Sequence, residues 1–400
     1  MKSKSKAADR VEKTQVLVVG AGPVGLCAAL CAARRGLEVT LLEQNFRGYA
    51  QGHATILHPA SLRLLAELGL SQQLLAAGSP LDSVRLHWPG EATVTVELPL
   101  PALTVPQTAL EELLLRALRR ETVQFKSCCE VTRLEQGTHS VQATVVGREL
   151  IELGSPAHFS EWQATDSSVV DARFVIGADG YDSFVRSALS TENVQAGPTE
   201  TFALFEGPSS SSGSTLELAF ESDLVSAIHP LADQCTRWGF QVSSELDHEP
   251  NLELLASLLE ARVPWVTSKP ERVAWSTVTH FERRFVQRFG DQRVWLAGDA
   301  AHVTSPFGAQ SMNGGLLEAY ELVERMAGCV FAQRPLDTLQ QWGSERQCEW
   351  HQLLGAHTRL EASPDVPQWL HQQIARIIPT LPASGRDLQH MLREIGFIVR

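Results

Sequence analysis

The spacing of apolar residues changes along this chain, and each spacing selects an element. Gln15 to Val19 is a short apolar, β-branched run, and Leu26 to Arg35 is rich in Ala and Leu with a stop at Gly36; together they predict strand, tight turn and helix. A second strand is expected from Glu38 to Leu42 and a helix from about Ser61 to Leu68. Residues alternate between apolar and polar at Ser83 to His87 and Thr93 to Leu98, the signature of antiparallel strands. A helix resumes at Thr108 to Arg120, followed by strand-like runs near Val123 to Lys126, Ser140 to Val146 and Arg173 to Ile176.

From Thr201 to Thr279 the pattern shortens to strands such as Leu216 to Phe220, Val225 to His229 and Trp238 to Val242, broken by a helix near Leu252 to Glu260. That is a mixed sheet rather than another strand–helix–strand nucleotide unit. Beyond Leu316 the chain reads as largely helical, with Pro364, Pro367, Pro379 and Pro382 interrupting its later part. The patch Gly207-Pro208 with Ser209 to Ser212 and Gly213 reads as a flexible loop or hairpin connection. The expected class is α/β: a Rossmann-like domain, a mixed-sheet domain and C-terminal helices.

Composition narrows the function. With 400 residues, 44% of them hydrophobic, the chain can bury a large core in two domains. A net charge of −12 argues against a nucleic-acid partner. Lys2, Lys4 and Lys6 are followed by polar residues rather than an apolar stretch, so neither a signal peptide nor a membrane span is expected. The seven cysteines, an odd number without a Cys-x-x-Cys pair, fit thiols in a reducing, cytoplasmic setting. Cys27 and Cys31, one helical turn apart, are small residues suited to packing against the sheet, and Cys128 and Cys129 would point to opposite faces of one strand.

The first turn has a chemical purpose. In Val18-Val19-Gly20-Ala21-Gly22-Pro23-Val24-Gly25, Gly20 makes the turn, Gly22 lets backbone N–H groups approach a pyrophosphate, and Gly25 lets helix and strand pack closely. Glu43, about 20 residues on at the end of the second strand, is placed to accept hydrogen bonds from both ribose hydroxyls. A carboxylate there disfavours a 2′-phosphate, so this site expects FAD or NAD rather than NADP.

Two further stretches follow apolar strands: Gly177-Ala178-Asp179-Gly180-Tyr181-Asp182-Ser183-Phe184-Val185-Arg186, and Leu296-Ala297-Gly298-Asp299-Ala300-Ala301-His302 continuing through Pro306 to Gly314. With the first stretch, in this order and at these separations, they resemble the class A flavoprotein monooxygenases related to para-hydroxybenzoate hydroxylase, over roughly residues 14 to 360. The resemblance implies FAD bound by Gly20, Gly22, Pro23, Val24, Gly25, Glu43, Gln107, Asp179, Gly298, Asp299, Ser311, Met312 and Asn313. Asp179 is then expected near ribose and pyrophosphate, Asp299 at the ribityl chain, and Pro306 at the reactive edge of the flavin. It also implies a helix beginning near Met312, whose positive end faces the flavin N1 and O2. His302 is expected to close structural hydrogen bonds rather than act as a base, and Arg116 is a candidate for the pyrophosphate.

The implied reaction uses NADH or NADPH to reduce FAD; O2 adds at the flavin C4a, and the hydroperoxide transfers oxygen to an aromatic or polyketide-like substrate. No second Gly-x-Gly-x-x-Gly is present, in keeping with a nicotinamide nucleotide that binds transiently. The substrate is expected between flavin and mixed sheet, near His229, Trp238, Phe240 and Phe307. Lack of an obvious Arg or Lys cluster there disfavours a small carboxylate. The implied division assigns 14–82, 102–190 and 286–360 to the FAD-binding domain, 83–101 and 191–285 to the substrate domain, and 361–400 to a C-terminal helical segment. Ser305, Ala309 and Ser311 depart from the Pro and Gly common in relatives, and His53 stands where many carry an Arg, with Arg47 nearby. A reductase of isoprenoid-type double bonds and a flavin-binding protein without turnover share the FAD motifs and are the alternatives. A halogenase lacks support, since its Trp-x-Trp-x-Ile-Pro signature is absent.

Overall fold

The computed structural model describes residues 11–45, 54–153, 159–209, 213–244, 246, 249–266, 270–354 and 360–399. Arg47, His53 and the run 210–212 lie outside the described residues.

Two eight-stranded sheets carry the architecture. In the first, Val294–Leu296, Phe159–Gly177, Val11–Val19, Val39–Leu42 and Val123–Lys126 run parallel in that order. Val16, Leu17 and Val18 are fully buried, both faces of their strand being covered, which explains an unbroken apolar run where a half-exposed strand would alternate. The helix Pro23–Arg34 crosses over between the first two parallel strands and buries every residue from Val24 to Ala32. It is packed between the sheet and the helices Gln107–Leu118 and Gln310–Phe331. Cys27 and Cys31 belong to that buried surface, and all seven cysteines are free thiols.

The second sheet orders Trp275–Phe281, Glu200–Pro208, Cys235–Val242, Leu224–Pro230, Thr215–Glu221, Ser79–His87, Val94–Pro106 and Ala54–Leu57. Only the Thr215–Glu221 and Ser79–His87 pair is parallel. One face, with Phe202, Leu204, Leu218, Phe220, Val225 and Ala227, packs against Phe307 and the C-terminal residues Trp369, Leu370, Ile377, Ile378 and Leu381. The other face, with Phe205, Ile228, Trp238 and Phe240, packs against Leu255 and Leu259 of the helix Leu252–Arg262.

The C-terminal segment is more than helices. Leu360–Ala362 and Phe397–Val399 pair antiparallel and tie together its two ends around the helices Gln368–Ile377 and Gly385–Glu394. The strand Ala54–Leu57 and the helix Ser71–Ala77 are further elements that periodicity did not single out. Cys128 sits in a turn with φ of +54° and Cys129 opens the strand Cys129–Gln136, so they do not alternate along one strand as expected. Among the described residues no helix is long and apolar enough to cross a membrane.

Candidate functional site

The three motifs separated in sequence meet at the carboxyl ends of the parallel strands. Gly20 has φ of +97°, and a Cβ there would lie 2.2 Å from the carbonyl oxygen of Ala178, so only glycine lets the first turn touch the second motif. A Cβ on Gly25 would fall 1.9 Å from the Gly20 carbonyl oxygen, which fixes how tightly helix meets turn. Gly22 differs. Nothing lies within 4 Å of where its Cβ would be, and it caps the helix Pro23–Arg34 without any side-chain hydrogen bond. A helix N-terminus left open in this way fits a phosphate, whose oxygens would take the free N–H groups. Glu43 stands beside it: its Oε2 accepts the Ala21 N–H at 2.8 Å and its Oε1 the Asn45 N–H at 2.9 Å.

The second motif is held from inside. Asp179 accepts from Ser183 Oγ at 2.5 Å and from the Val185 N–H at 3.0 Å, while Ser183 accepts the Arg186 N–H at 2.9 Å and caps the helix Phe184–Ala188. Burial raises the Asp179 carboxyl above its ordinary value, with the Ser183 and Val185 bonds working against that. Arg186 then reaches across to the third motif, donating to the Ala300 carbonyl oxygen at 3.1 Å. Arg116, by contrast, points into solvent and pairs with Glu112 at 2.8 Å. Gln107 starts its helix and donates to Glu111 at 3.0 Å.

Packing also fixes the third motif. A Cβ on Gly298 would meet Val24 at 2.9 Å, and one on Gly315 would meet both Gly298 and Val24 at 2.7 Å, so Val24, Gly298 and Gly315 interlock the first and third motifs. Asp299 lies between buried Gly298 and Ala300 yet shows its side chain to solvent. Surrounding protein raises its carboxyl while His302, Ser311 and Arg284 draw it down. Such a carboxylate, reachable but walled in, suits the hydroxyls of a ribityl chain.

Beneath Asp299, His302 is fully buried and stacks on Trp350 at 3.7 Å, and its Nε2 lies 2.8 Å from Glu318. Glu318 also accepts the Trp350 indole N–H at 2.9 Å and the Gly298 N–H at 3.1 Å. Burial pushes the Glu318 carboxyl upward, but His302 and these donors outweigh it and hold the group below its ordinary value. Glu318 is not legible in the sequence; its spacing from His302 carries no motif, and only the fold brings them together.

The loop from Ser305 to Asn313 shows what the departures do. Ala309 adopts the left-handed conformation at φ +49° and begins the helix Gln310–Phe331, two residues before the expected start. Ser311 turns inward and donates to the His302 carbonyl oxygen at 2.8 Å, so its side chain does not crowd the loop. Met312 accepts from Thr55 Oγ1 at 3.6 Å. Asn313 spends its side chain on protein, accepting the His58 N–H at 2.8 Å and donating to Ile56 and Ala309. The C-terminal segment grips the same loop: Gln310 donates to the carbonyl oxygens of Leu381 and Ala383 at 2.7 and 3.0 Å, and His58 joins Gly308 O and Ser384 Oγ.

On the substrate side the four expected residues separate. Phe307, following half-buried Pro306, packs its ring edge-on to Phe202 at 4.9 Å and 6.2 Å from the His229 ring, so Phe307 and His229 share the face turned to the flavin loop. Trp238 and Phe240 are corrected. Strand alternation puts them on the opposite face, in the core under the Leu252–Arg262 helix, while Arg237, Gly239 and Gln241 take the loop side. Arg237 is the cation the sequence reading overlooked; it pairs with Glu206 across the neighbouring strand.

Residues 13–355 match a family model described as FAD binding domain. Among similar proteins, 6-hydroxy-3-succinoylpyridine 3-monooxygenase of Pseudomonas putida is 27% identical over 379 residues, covering 90% of each chain. 6-Methylpretetramide 4-monooxygenase of Streptomyces rimosus is 25% identical over 83% of this chain and 59% of its own length. Among solved structures, p-nitrophenol 4-monooxygenase of Pseudomonas putida superposes with a TM-score of 0.71 at 19% identity, covering 96% of this chain and 99% of that one.

Proposed function

This chain belongs to the FAD binding domain family, and on that premise we propose that it is an FAD-dependent monooxygenase that uses NADH or NADPH and O2 to oxygenate an aromatic or polyketide-like substrate. The observation that carries the reading is the convergence of Gly20–Gly25, Asp179–Arg186 and Gly298–His302 at the carboxyl ends of the parallel strands. When bound, FAD supplies hydride acceptance and oxygen activation.

The protein's own part is positioning and polarity. The open helix N-terminus after Gly22 would receive the pyrophosphate, and Glu43, which accepts the Ala21 N–H beside it, would hold the ribose hydroxyls. Asp299 would hold the ribityl chain. The 22-residue helix Gln310–Phe331 turns its positive end towards the loop that includes Pro306, where negative charge on a reduced ring needs stabilising. Phe307 and the face of the second sheet exclude water from the reacting edge. The proposed setting is the cytoplasm, in keeping with an odd number of cysteines without a Cys-x-x-Cys pair.

The test is turnover under labelled oxygen. FAD-loaded protein, NADH or NADPH and a panel of phenols and polycyclic aromatics under ¹⁸O2 should yield a product one labelled oxygen heavier. Reduced-nucleotide consumption that ends only in hydrogen peroxide across the panel, or anaerobic reduction of a substrate double bond, would replace the proposal by one of the two alternatives.

A further inference from the structure

Across the loop-facing side of the second sheet, one row of side chains stands in cross-strand register: His229 opposite Arg237, Arg237 opposite Glu206, and Glu206 opposite Trp275. Directly opposed residues lie about 5 Å apart at Cβ, so the four form a continuous strip. Arg237 donates to Glu206 through Nε at 2.8 Å and again through Nη2, and its guanidinium lies 5.9 Å from the Trp275 ring centre. The strip adjoins the flavin loop. The His229 ring is 6.2 Å from that of Phe307, and the next residue on this face of the neighbouring strand is Gly239, where a Cβ would strike the Phe307 ring at 2.4 Å.

One atom in the strip is unsatisfied. His229 is 5% exposed, and its Nε2 is buried without a hydrogen-bond partner. Buried polar groups are nearly always paired, so this one calls for a partner the chain itself does not supply. Burial and the nearby Arg237 cation lower the His229 pKa to about 3, so the ring is neutral and offers either one N–H or one lone pair. Glu206 meanwhile neutralises the only cation of the strip.

We propose that His229 Nε2 receives an uncharged oxygen of the substrate, a hydroxyl or carbonyl, and that the Glu206–Arg237 pair denies the same place to a carboxylate. A hydroxyl can donate to the bare nitrogen or accept from its protonated tautomer. A carboxylate has no unneutralised cation to meet, and it would face Glu206. This rests on the reading of the cleft as an aromatic monooxygenase site, and it adds the selection among aromatic substrates that His229, Arg237 and Glu206 impose.

Binding to oxidised, FAD-loaded, full-length protein, followed by the change in flavin absorbance, tests it without turnover. Two matched pairs are titrated at neutral pH: phenol against benzoate, and 2-naphthol against 2-naphthoate. The hydroxyl member should bind at least tenfold more tightly in at least one pair. Glu206→Gln, which uncovers the Arg237 charge, should shift that ratio at least tenfold towards the carboxylate, and His229→Leu should erase the preference, with FAD content and melting temperature checking the fold. Equal or tighter carboxylate binding by wild type in both pairs, no response to any of the four, or an unchanged ratio in folded variants overturns the proposal. A hydroxyl preference in a protein that never incorporates ¹⁸O would overturn the monooxygenase reading instead.

Discussion

The His302 imidazole and the Glu318 carboxylate lie 2.8 Å apart at 0% and 2% exposure, directly behind the third glycine motif. Because Glu318 also accepts from Gly298 and Trp350, it fixes the backbone next to Asp299. Breaking a buried pair by removing one partner costs about 3–5 kcal/mol. Glu318→Ala should therefore lower the melting temperature strongly and reduce FAD content with it, and Glu318→Gln, which keeps an acceptor, should lose less. Thermal unfolding of the purified variants checks this, and a Glu318→Ala protein melting like wild type would contradict it.

His58 links the flavin loop to the C-terminal segment and makes stability depend on pH. Burial lowers its pKa from 6.5 to about 4, although its bond to Gly308 O works in the other direction. Since the folded value lies below the unfolded one, the unfolded chain takes up a proton that the folded chain refuses between these limits. Stability is thus complete above about pH 6.5 and declines as pH falls towards 4, by on the order of 3 kcal/mol for a displacement of this size. His229, also depressed, adds in the same sense. Melting curves at pH 7.5 and 5.0 should show a smaller difference for His58→Gln than for wild type, and equal differences would rule out this origin.

Glu43 accepts the Ala21 N–H, and the proposed site also sets it at the ribose. Glu43→Ala removes a charge-assisted acceptor worth about 1.5–3 kcal/mol per bond. Titration of the apoprotein with FAD should show affinity reduced by roughly ten- to a hundredfold on that scale. Unchanged affinity would remove Glu43 from the site.

Ala309 holds a left-handed backbone at φ +49° that costs an L-residue roughly 1–2 kcal/mol. Ala309→Gly should melt no lower than wild type, while the β-branched Ala309→Val should melt clearly lower. The reverse order would mean the loop relaxes to another conformation in solution.

The meeting of the three motifs was legible because glycine, acid and strand ends recur at fixed spacing for a geometric reason. Gly20 and Gly298 each stand where a Cβ would collide with another motif, and Gly25 where it would collide with the Gly20 carbonyl of its own turn. The substrate half was not. Which face Trp238 and Phe240 occupy depends on the pairing of Cys235–Val242 with Leu224–Pro230 and on the helix Leu252–Arg262 that covers them, and hydrophobicity alone cannot choose between two buried faces. Arg237 escaped notice as an isolated cation because its partner, Glu206, is 31 residues away and joins it only through strand register. Prolines in the C-terminal segment marked breaks correctly, but they could not announce that Leu381 and Ala383 would accept hydrogen bonds from Gln310 of the flavin loop.

That three separated motifs form one FAD site is tested most directly by reconstitution of the apoprotein. Wild type should bind FAD stoichiometrically and leave FMN unbound, since the Gly20–Gly25 turn and Glu43 serve the adenosine half, and Asp299→Ala should bind FAD far more weakly. Equal binding of FMN and FAD, or an Asp299→Ala protein that fills with FAD like wild type, would contradict it.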